Sequence, residues 1–269
     1  MTALPAIKVV INGALGKMGR AISEGLVRAP ETELVGGVDV AASSDRLTVS
    51  GAADVPLSAS VASLLEETRP DVLIEFSTAQ ATLPAVRAAA ERGVSFVVGT
   101  TGHGPEAVAE MRSLADTHGV GGAVAPNFAL GAVLLMDLAQ RAARYFDYAE
   151  IIEMHHETKI DAPSGTAALT ARQMAAARGR PFERNVPTTE AVAGTRAGSV
   201  EGITIHSVRL PGAMAHQEVI LGTAGQTLTI RHDTINRDCY LPGILIAVKH
   251  VVANKGLVEG LGRLMGLGE

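Results

Sequence analysis

The sequence is poor in cysteine, carries no block of basic residues and has no apolar run long enough to cross a bilayer, and each lack narrows the reading. Its single cysteine, Cys239, excludes an intramolecular disulfide and fits a reducing compartment. A net charge of −5 with no cluster of Lys and Arg argues against a nucleic-acid surface. Thr2, Ala3 and Pro5 are followed at once by a strand-like run, so neither a signal peptide nor a membrane segment is expected. Internal repeats, heptads and low-complexity tracts are also missing. A cytoplasmic protein is the expectation. His156-Glu157 could begin an H-E-x-x-H metal motif, but Ile160 stands where the second histidine belongs. No other cluster has ligand spacing, and no metal is expected.

What is present begins with enough apolar sequence, 47% of 269 residues, to bury one large core or two smaller ones. Residues 7–11 are β-branched and read as a strand buried on both faces. Gly13-Ala14-Leu15-Gly16-Lys17-Met18-Gly19 follows, and residues 21–28 read as a helix. In that context Gly13 permits a tight turn and Gly16 lets backbone approach a pyrophosphate. Gly19 allows close helix–strand packing. The next strand, 33–38, ends at Asp39, where a ribose-binding carboxylate belongs in a dinucleotide fold. Asp39 favours NAD, and Val40 stands where an NADP-selective site carries arginine. Lys17 and Arg20 partly offset the repulsion, so use of either cofactor is expected, NADH at least as well as NADPH.

Residues 41–59 read as loop with little regular structure. Helix 60–68 stops ahead of Pro70; strands at 72–76, 94–98 and 120–125 then alternate with helices at 82–92 and 105–117. Such alternation implies a parallel sheet, with ligands beyond the strands' carboxyl ends. Two of those ends, Gly99-Thr100-Thr101 and Ala125-Pro126-Asn127-Phe128, offer amides and small polar groups where a nicotinamide and its ribose would lie. Ser77-Thr78, at a third, reads as ordinary loop chemistry.

The pattern changes near residue 129. Helix 130–143 is apolar, a strand is expected over 149–154, and helix 166–178 ends at Gly179. Residues 181–202, rich in Pro, Thr, Gly and Arg, read as a mobile excursion. The runs 203–210, 217–221 and 226–232 alternate like strands joined without helices, which predicts antiparallel pairing. An apolar helix over 241–252 is expected to dock on the first domain. The fold class is therefore α/β: a Rossmann-like parallel-sheet domain (1–128 with 241–269) plus a second α+β domain with a largely antiparallel sheet (129–240).

The densest chemistry lies between strand and helix, in residues 153–166. Pro163 and Gly165 break any helix there. His155, His156 and Lys159 are expected on a loop, with Ser164-Gly165-Thr166 opening a helix whose free N–H groups can hold an anion. Adjacent histidines on extended chain point apart, so different roles are expected. Histidine titrates near neutrality and suits the proton that must accompany a hydride, while Lys159 can donate a proton or hold a carboxylate. His103, His118, His206, His216, His232 and His250 read as surface or core residues.

Taken together, Gly13-x-x-Gly16-x-Met18-Gly19, Gly99-Thr100-Thr101-Gly102, Ala125-Pro126-Asn127-Phe128 and Glu153-x-His155-His156-x-x-Lys159-x-Asp161-Ala162-Pro163-Ser164-Gly165-Thr166 resemble the 4-hydroxy-tetrahydrodipicolinate reductase family over essentially the whole chain. The resemblance implies a Rossmann domain plus an antiparallel substrate domain. It also implies NADH- or NADPH-dependent reduction of a small cyclic dicarboxylate in the diaminopimelate route to lysine, by a homotetramer. It makes His155 the proton donor/acceptor and Lys159 the proton donor, with His156 contacting substrate and Gly165 and Thr166 holding a carboxylate, helped by Ser164. Gly13, Ala14, Leu15, Gly16, Lys17, Met18, Asp39, Gly99–Thr101 and Ala125–Phe128 would contact cofactor, as would Arg237 and Tyr240. Against a semialdehyde dehydrogenase of the acylating kind, Cys239 lies outside any nucleophile motif. Against a dinucleotide-sensing regulator, no DNA-binding module is visible.

Overall fold

A computed structural model describes residues 5–184 and 186–267. The chain forms two compact units, one of Met1–Leu130 with Arg237–Glu269 and one of Gly131–Asn236.

The first unit starts as a strand because Val9, Val10 and Ile11 have apolar neighbours on both faces and are fully buried. In chain order it comprises β1 (Ile7–Asn12), α1 (Lys17–Arg28), β2 (Thr32–Val38), β3 (Arg46–Leu47), β4 (Val55–Ser58), α2 (Val61–Thr68), β5 (Val72–Glu75), α3 (Ala79–Ala90), β6 (Ser95–Val98), α4 (Pro105–His118) and β7 (Gly121–Val124). The sheet order is β13-β7-β6-β5-β1-β2-β4-β3, where β13 (Gly256–Glu259) is supplied by the end of the chain. Every pairing is parallel except β3 with β4, so the strands' carboxyl ends share one edge.

Three expectations need correction here. Residues 41–59 are not plain loop, because β4 continues the sheet beside β2 and β3 folds back on it. Short strands lacking a long apolar run leave almost no periodic signal. Helix α1 begins at Lys17, inside the glycine run. Edge strand β13 was not anticipated; Gly260 N closes it onto Val124 O at 2.8 Å. The apolar helix before it, α7 (Leu241–Ala253), docks on the first unit's sheet. Its Val251 carbonyl accepts from Ser95 Oγ at 3.1 Å, and Leu241 lies against Gly25. A short helix, α8 (Leu261–Leu264), follows. No helix among the described residues is long and apolar enough to cross a membrane.

The second unit carries α5 (Leu130–Ala142), which begins one residue before it, then β8 (Tyr148–His155), α6 (Gly165–Arg178), β9 (Gly198–Val200), β10 (Ile203–Arg209), β11 (Ala215–Thr223) and β12 (Gln226–Thr234). Its sheet order is β12-β11-β8-β10-β9. Ile151, Ile203, Ile205, Val219 and Leu221 project from one sheet face onto Ala167, Ala171 and Met174 of α6 and Leu135 and Ala139 of α5. Most pairings are antiparallel, but β10 runs parallel to β8. The cause is α6, which returns the chain to the end where β8 began, as in any βαβ crossover. Residues 181–202 are not simply an excursion either. Phe182 is buried in the core, β9 pairs with β10, and Arg196 ion-pairs with Glu150.

Candidate active site

In the first unit the loop after β1 is shaped by steric need. Gly13 has φ +83°, and a Cβ there would strike the Phe76 carbonyl. Gly13 and Ala14 both donate to the Val38 carbonyl, at 2.9 and 3.0 Å. A Cβ on Gly19 would strike the Gly13 carbonyl. Its lack of a side chain therefore lets α1 close on its own loop, which refines the expected helix–strand role. Gly16 caps α1 without a side-chain acceptor, and the first turn holds no acid, so the N–H groups of Lys17 and Met18 have no acceptor within the helix and suit an anion. A phosphate-binding turn fits these residues.

Asp39 directly follows the neighbouring strand β2. Its Oδ2 accepts from Leu15 N at 2.9 Å and its Oδ1 from Ala41 N at 3.0 Å, so the carboxylate braces the loop. Val40 is 89% exposed. Gly99–Thr101 follow β6, and Gly99 has no room for a Cβ beside the Phe76 ring. Ala125–Phe128 follow β7, with Asn127 Oδ1 accepting from Ala129 N at 2.8 Å and Phe128 stacked at a tilt against Phe76, centroids 6.0 Å apart. Arg237 and Tyr240 bound a single helical turn ahead of α7.

One residue at this edge was not singled out from sequence. Glu75, at the end of β5, is fully buried. It accepts from Asn12 Nδ2, from Ser77 N at 2.7 Å, from Ser77 Oγ and from Thr100 Oγ1 at 3.2 Å. One carboxylate thus ties together the ends of β1, β5 and β6. The available signal was a lone acid inside the apolar run 72–76.

In the second unit, His155 is the last residue of β8 rather than part of the loop. The cause is pairing on both sides, with Arg209 in parallel register and Ala215 in antiparallel register. His156, Lys159 and the cis Ala162–Pro163 peptide lie in the connection to α6. Ser164 caps that helix, its Oγ accepting from Ala167 N at 3.2 Å. The N–H groups of Gly165 and Thr166 then have no acceptor within the helix. The space where a Gly165 side chain would stand is open.

Beneath His155 lies Glu153, fully buried. Its Oε2 is 2.6 Å from His155 Nδ1, and it accepts from Arg209 Nη1 and Nη2 at 2.9 and 2.8 Å and from Ser164 N at 3.2 Å. Burial pushes its pKa up, but hydrogen bonds from Arg209, Ser207 and His155 outweigh this and hold the carboxyl below the usual range. For His155, burial dominates and holds the imidazole below its ordinary value, against the pull of Glu153. Lys159 Nζ pairs with Asp161 Oδ1 at 2.6 Å, while His156 Nδ1 bonds Thr158 Oγ1 at 2.7 Å. Arg209 carried no sequence signal beyond its place at a strand end, and Glu153 was read only as part of the motif. The six other histidines have varied settings; His206 pairs with Glu150 and His216 with Asp233. Strand β12 continues past His232 to Thr234. Among the described residues no group of His, Cys, Asp or Glu could hold a metal ion.

Residues 7–128 match the family model for the dihydrodipicolinate reductase N-terminus, and residues 131–264 match that for its C-terminus. The chain belongs to the dihydrodipicolinate reductase family. It is 48% identical to the 4-hydroxy-tetrahydrodipicolinate reductase of Dehalococcoides mccartyi over 262 residues, covering 97% of this chain and 99% of the relative. The reductase of Moorella thermoacetica is also 48% identical, over 265 residues, covering 97% and 99%. Among solved structures, the dipicolinate-bound reductase from Paenisporosarcina sp. TG-14 superposes with a TM-score of 0.86 at 38% identity, covering 96% of this chain and 99% of that one. An amine dehydrogenase from Mycobacterium smegmatis, 16% identical with a TM-score of 0.64 and coverage of 94% and 95%, shares the fold alone. Family membership and the Rossmann-like unit together imply an oxidoreductase using a nicotinamide cofactor.

Proposed function

We propose that this protein reduces 4-hydroxy-tetrahydrodipicolinate to tetrahydrodipicolinate, with loss of water, in the diaminopimelate route to lysine. The observation that carries the reading is the meeting of His155, Lys159 and the open N-terminus of α6 at the carboxyl ends of β8 and β10. A small dianion finds there what it needs. Gly165 and Thr166 offer N–H donors and the positive end of a helix to one carboxylate. Lys159 and His156 supply charge and hydrogen bonds, and His155 and Lys159 handle the proton added beside the hydride.

In the first unit, residues 13–18 cradle the diphosphate and Asp39 the ribose, with 99–101, 125–128, Arg237 and Tyr240 completing the cofactor's contacts. A bound nicotinamide supplies the hydride. Catalysis then requires the ternary complex to bring the substrate's ring to that hydride, with closure that excludes water. NADH serves at least as well as NADPH, because the Asp39 carboxylate repels a 2′-phosphate and Val40 offers no countercharge. Competition kinetics test this, and a preference for NADPH of roughly a hundredfold would contradict it.

A cytoplasmic homotetramer completes the reading, the assembly surface being the second unit's sheet, whose edge strand β12 is largely exposed and carries Leu228 outward. Sedimentation should give the mass of four chains; a monomer would refute this. The activity itself is tested by NADH oxidation on adding freshly made product of the preceding synthase. Oxidation that depends on that compound is expected, and none at any concentration would sink the assignment.

A further inference from the structure

Around His155 the hydrogen-bond bookkeeping allows one arrangement. Glu153 is already engaged by both terminal nitrogens of Arg209 and by Ser164 N. A carboxylate so surrounded by donors is ionised and has no proton to give. The 2.6 Å contact from Glu153 Oε2 to His155 Nδ1 must therefore be an Nδ1–H donating to the carboxylate. In a neutral imidazole that leaves Nε2 as a bare lone pair.

The charged groups about the ring are Glu153 on its own strand, Arg209 on β10, and Lys159 and Asp161 on the following connection; β11 presents only Ala215 opposite it. Alone, Glu153 would pull harder on a second proton for the imidazole. With Arg209 holding it bidentately, the attraction is shared, and burial together with Lys159 and Arg209 favours the neutral ring.

We infer that Glu153, clamped by Arg209, is a positioning residue that fixes the His155 imidazole with its proton on Nδ1 and its free lone pair on Nε2. Through Ser164 N the same carboxylate also ties the histidine to the helix end proposed to receive the substrate. The reactive nitrogen and the anion-binding amides are thereby held from one atom pair. This rests on His155 being the proton-exchanging histidine of the proposed function.

The test is imidazole nitrogen NMR of the full chain labelled in histidine, with His155→Gln to assign the signal. At neutral pH the His155 resonances should show a protonated Nδ1 and an unprotonated Nε2. Glu153→Gln, which can turn its amide N–H toward Nδ1, should move the proton to Nε2. It should also shift the acid limb of the pH–rate profile and lower kcat by about a hundredfold, the low end of what a positioned acid–base group contributes, with little change in KM. Glu153→Asp, which keeps the charge, should restore the tautomer and part of the rate, and serves alone if the Gln variant does not fold. Wild-type protein with its proton on Nε2, or Glu153→Gln with an unchanged tautomer and pH profile, would overturn the inference. The NMR readout needs no substrate, so an Nδ1–H tautomer in a protein that fails to turn over would count against the function instead.

Discussion

Two fully buried glutamates close strand ends in the two halves of the molecule, and their company differs. Among the described residues Glu75 is met only by neutral donors, the amide of Asn12, the backbone and hydroxyl of Ser77 and the hydroxyl of Thr100. Glu153 is met by an arginine, an imidazole and a helix-end N–H. Neutral donors fix geometry without offering a proton that moves near neutral pH. An imidazole neighbour makes proton exchange possible, and an arginine keeps the carboxylate ionised so that the proton stays on the ring. The contrast suits the proposed division of labour, in which the first half positions a dinucleotide and the second manages protons.

The sharpest way to break that contrast is to remove the titrating groups. His155→Ala and Lys159→Ala should each lower kcat by about 10²–10⁴-fold while dinucleotide affinity, read by fluorescence titration, stays near that of the parent. A double variant with near-native turnover would erase the distinction between the halves. Next come the carboxylates themselves. Glu153→Ala leaves the part-buried Arg209 without its carboxylate and should cost about 3 kcal/mol in denaturant unfolding. Glu75→Gln leaves no cation behind and should cost only about 1–3 kcal/mol. Equal losses would mean that the cation is irrelevant.

The glycines sharpen the same comparison on a smaller scale. Gly19→Ala forces a methyl against the Gly13 carbonyl and should destabilise by about 1–3 kcal/mol while abolishing dinucleotide binding. Gly165→Ala meets nothing in the protein. It should melt like the parent and reveal itself only as a raised KM. The smallest effect is in pH dependence. His155 and Glu153 both titrate lower in the fold than in the unfolded chain, so the unfolded state binds more protons and acid destabilises. The His155 share is present above its ordinary value near 6.5 and is lost as pH falls below it. His155→Gln should flatten the stability curve in that window, and an unchanged slope would contradict the neutral imidazole.

Much of this was legible in the chain. The β-branched run before Gly13 and the alternation that follows imply a parallel sheet, because such strands are buried on both faces. The breakers Pro163 and Gly165 place a helix end beside two histidines and a lysine. What escaped was structure set by distant partners. Strands β3, β4 and β13 are short, and only their neighbours in the sheet make them strands. The parallel β8–β10 pair depends on α6 returning the chain, which local alternation does not report. Glu75 and Glu153 sit in apolar runs where an isolated acid signals an unusual partner but not which one. Arg209, some fifty residues from Glu153 in sequence, has no local mark at all.

The most direct test of the account is a crystal structure of the ternary complex with NADH and dipicolinate, a planar stand-in for the substrate. It should show a dipicolinate carboxylate on the N–H groups of Gly165 and Thr166, with His155 Nε2 and Lys159 Nζ facing the ring on which the nicotinamide's reactive carbon bears. Dipicolinate bound away from that helix end, or His155 and Lys159 across the molecule from the nicotinamide, would contradict it.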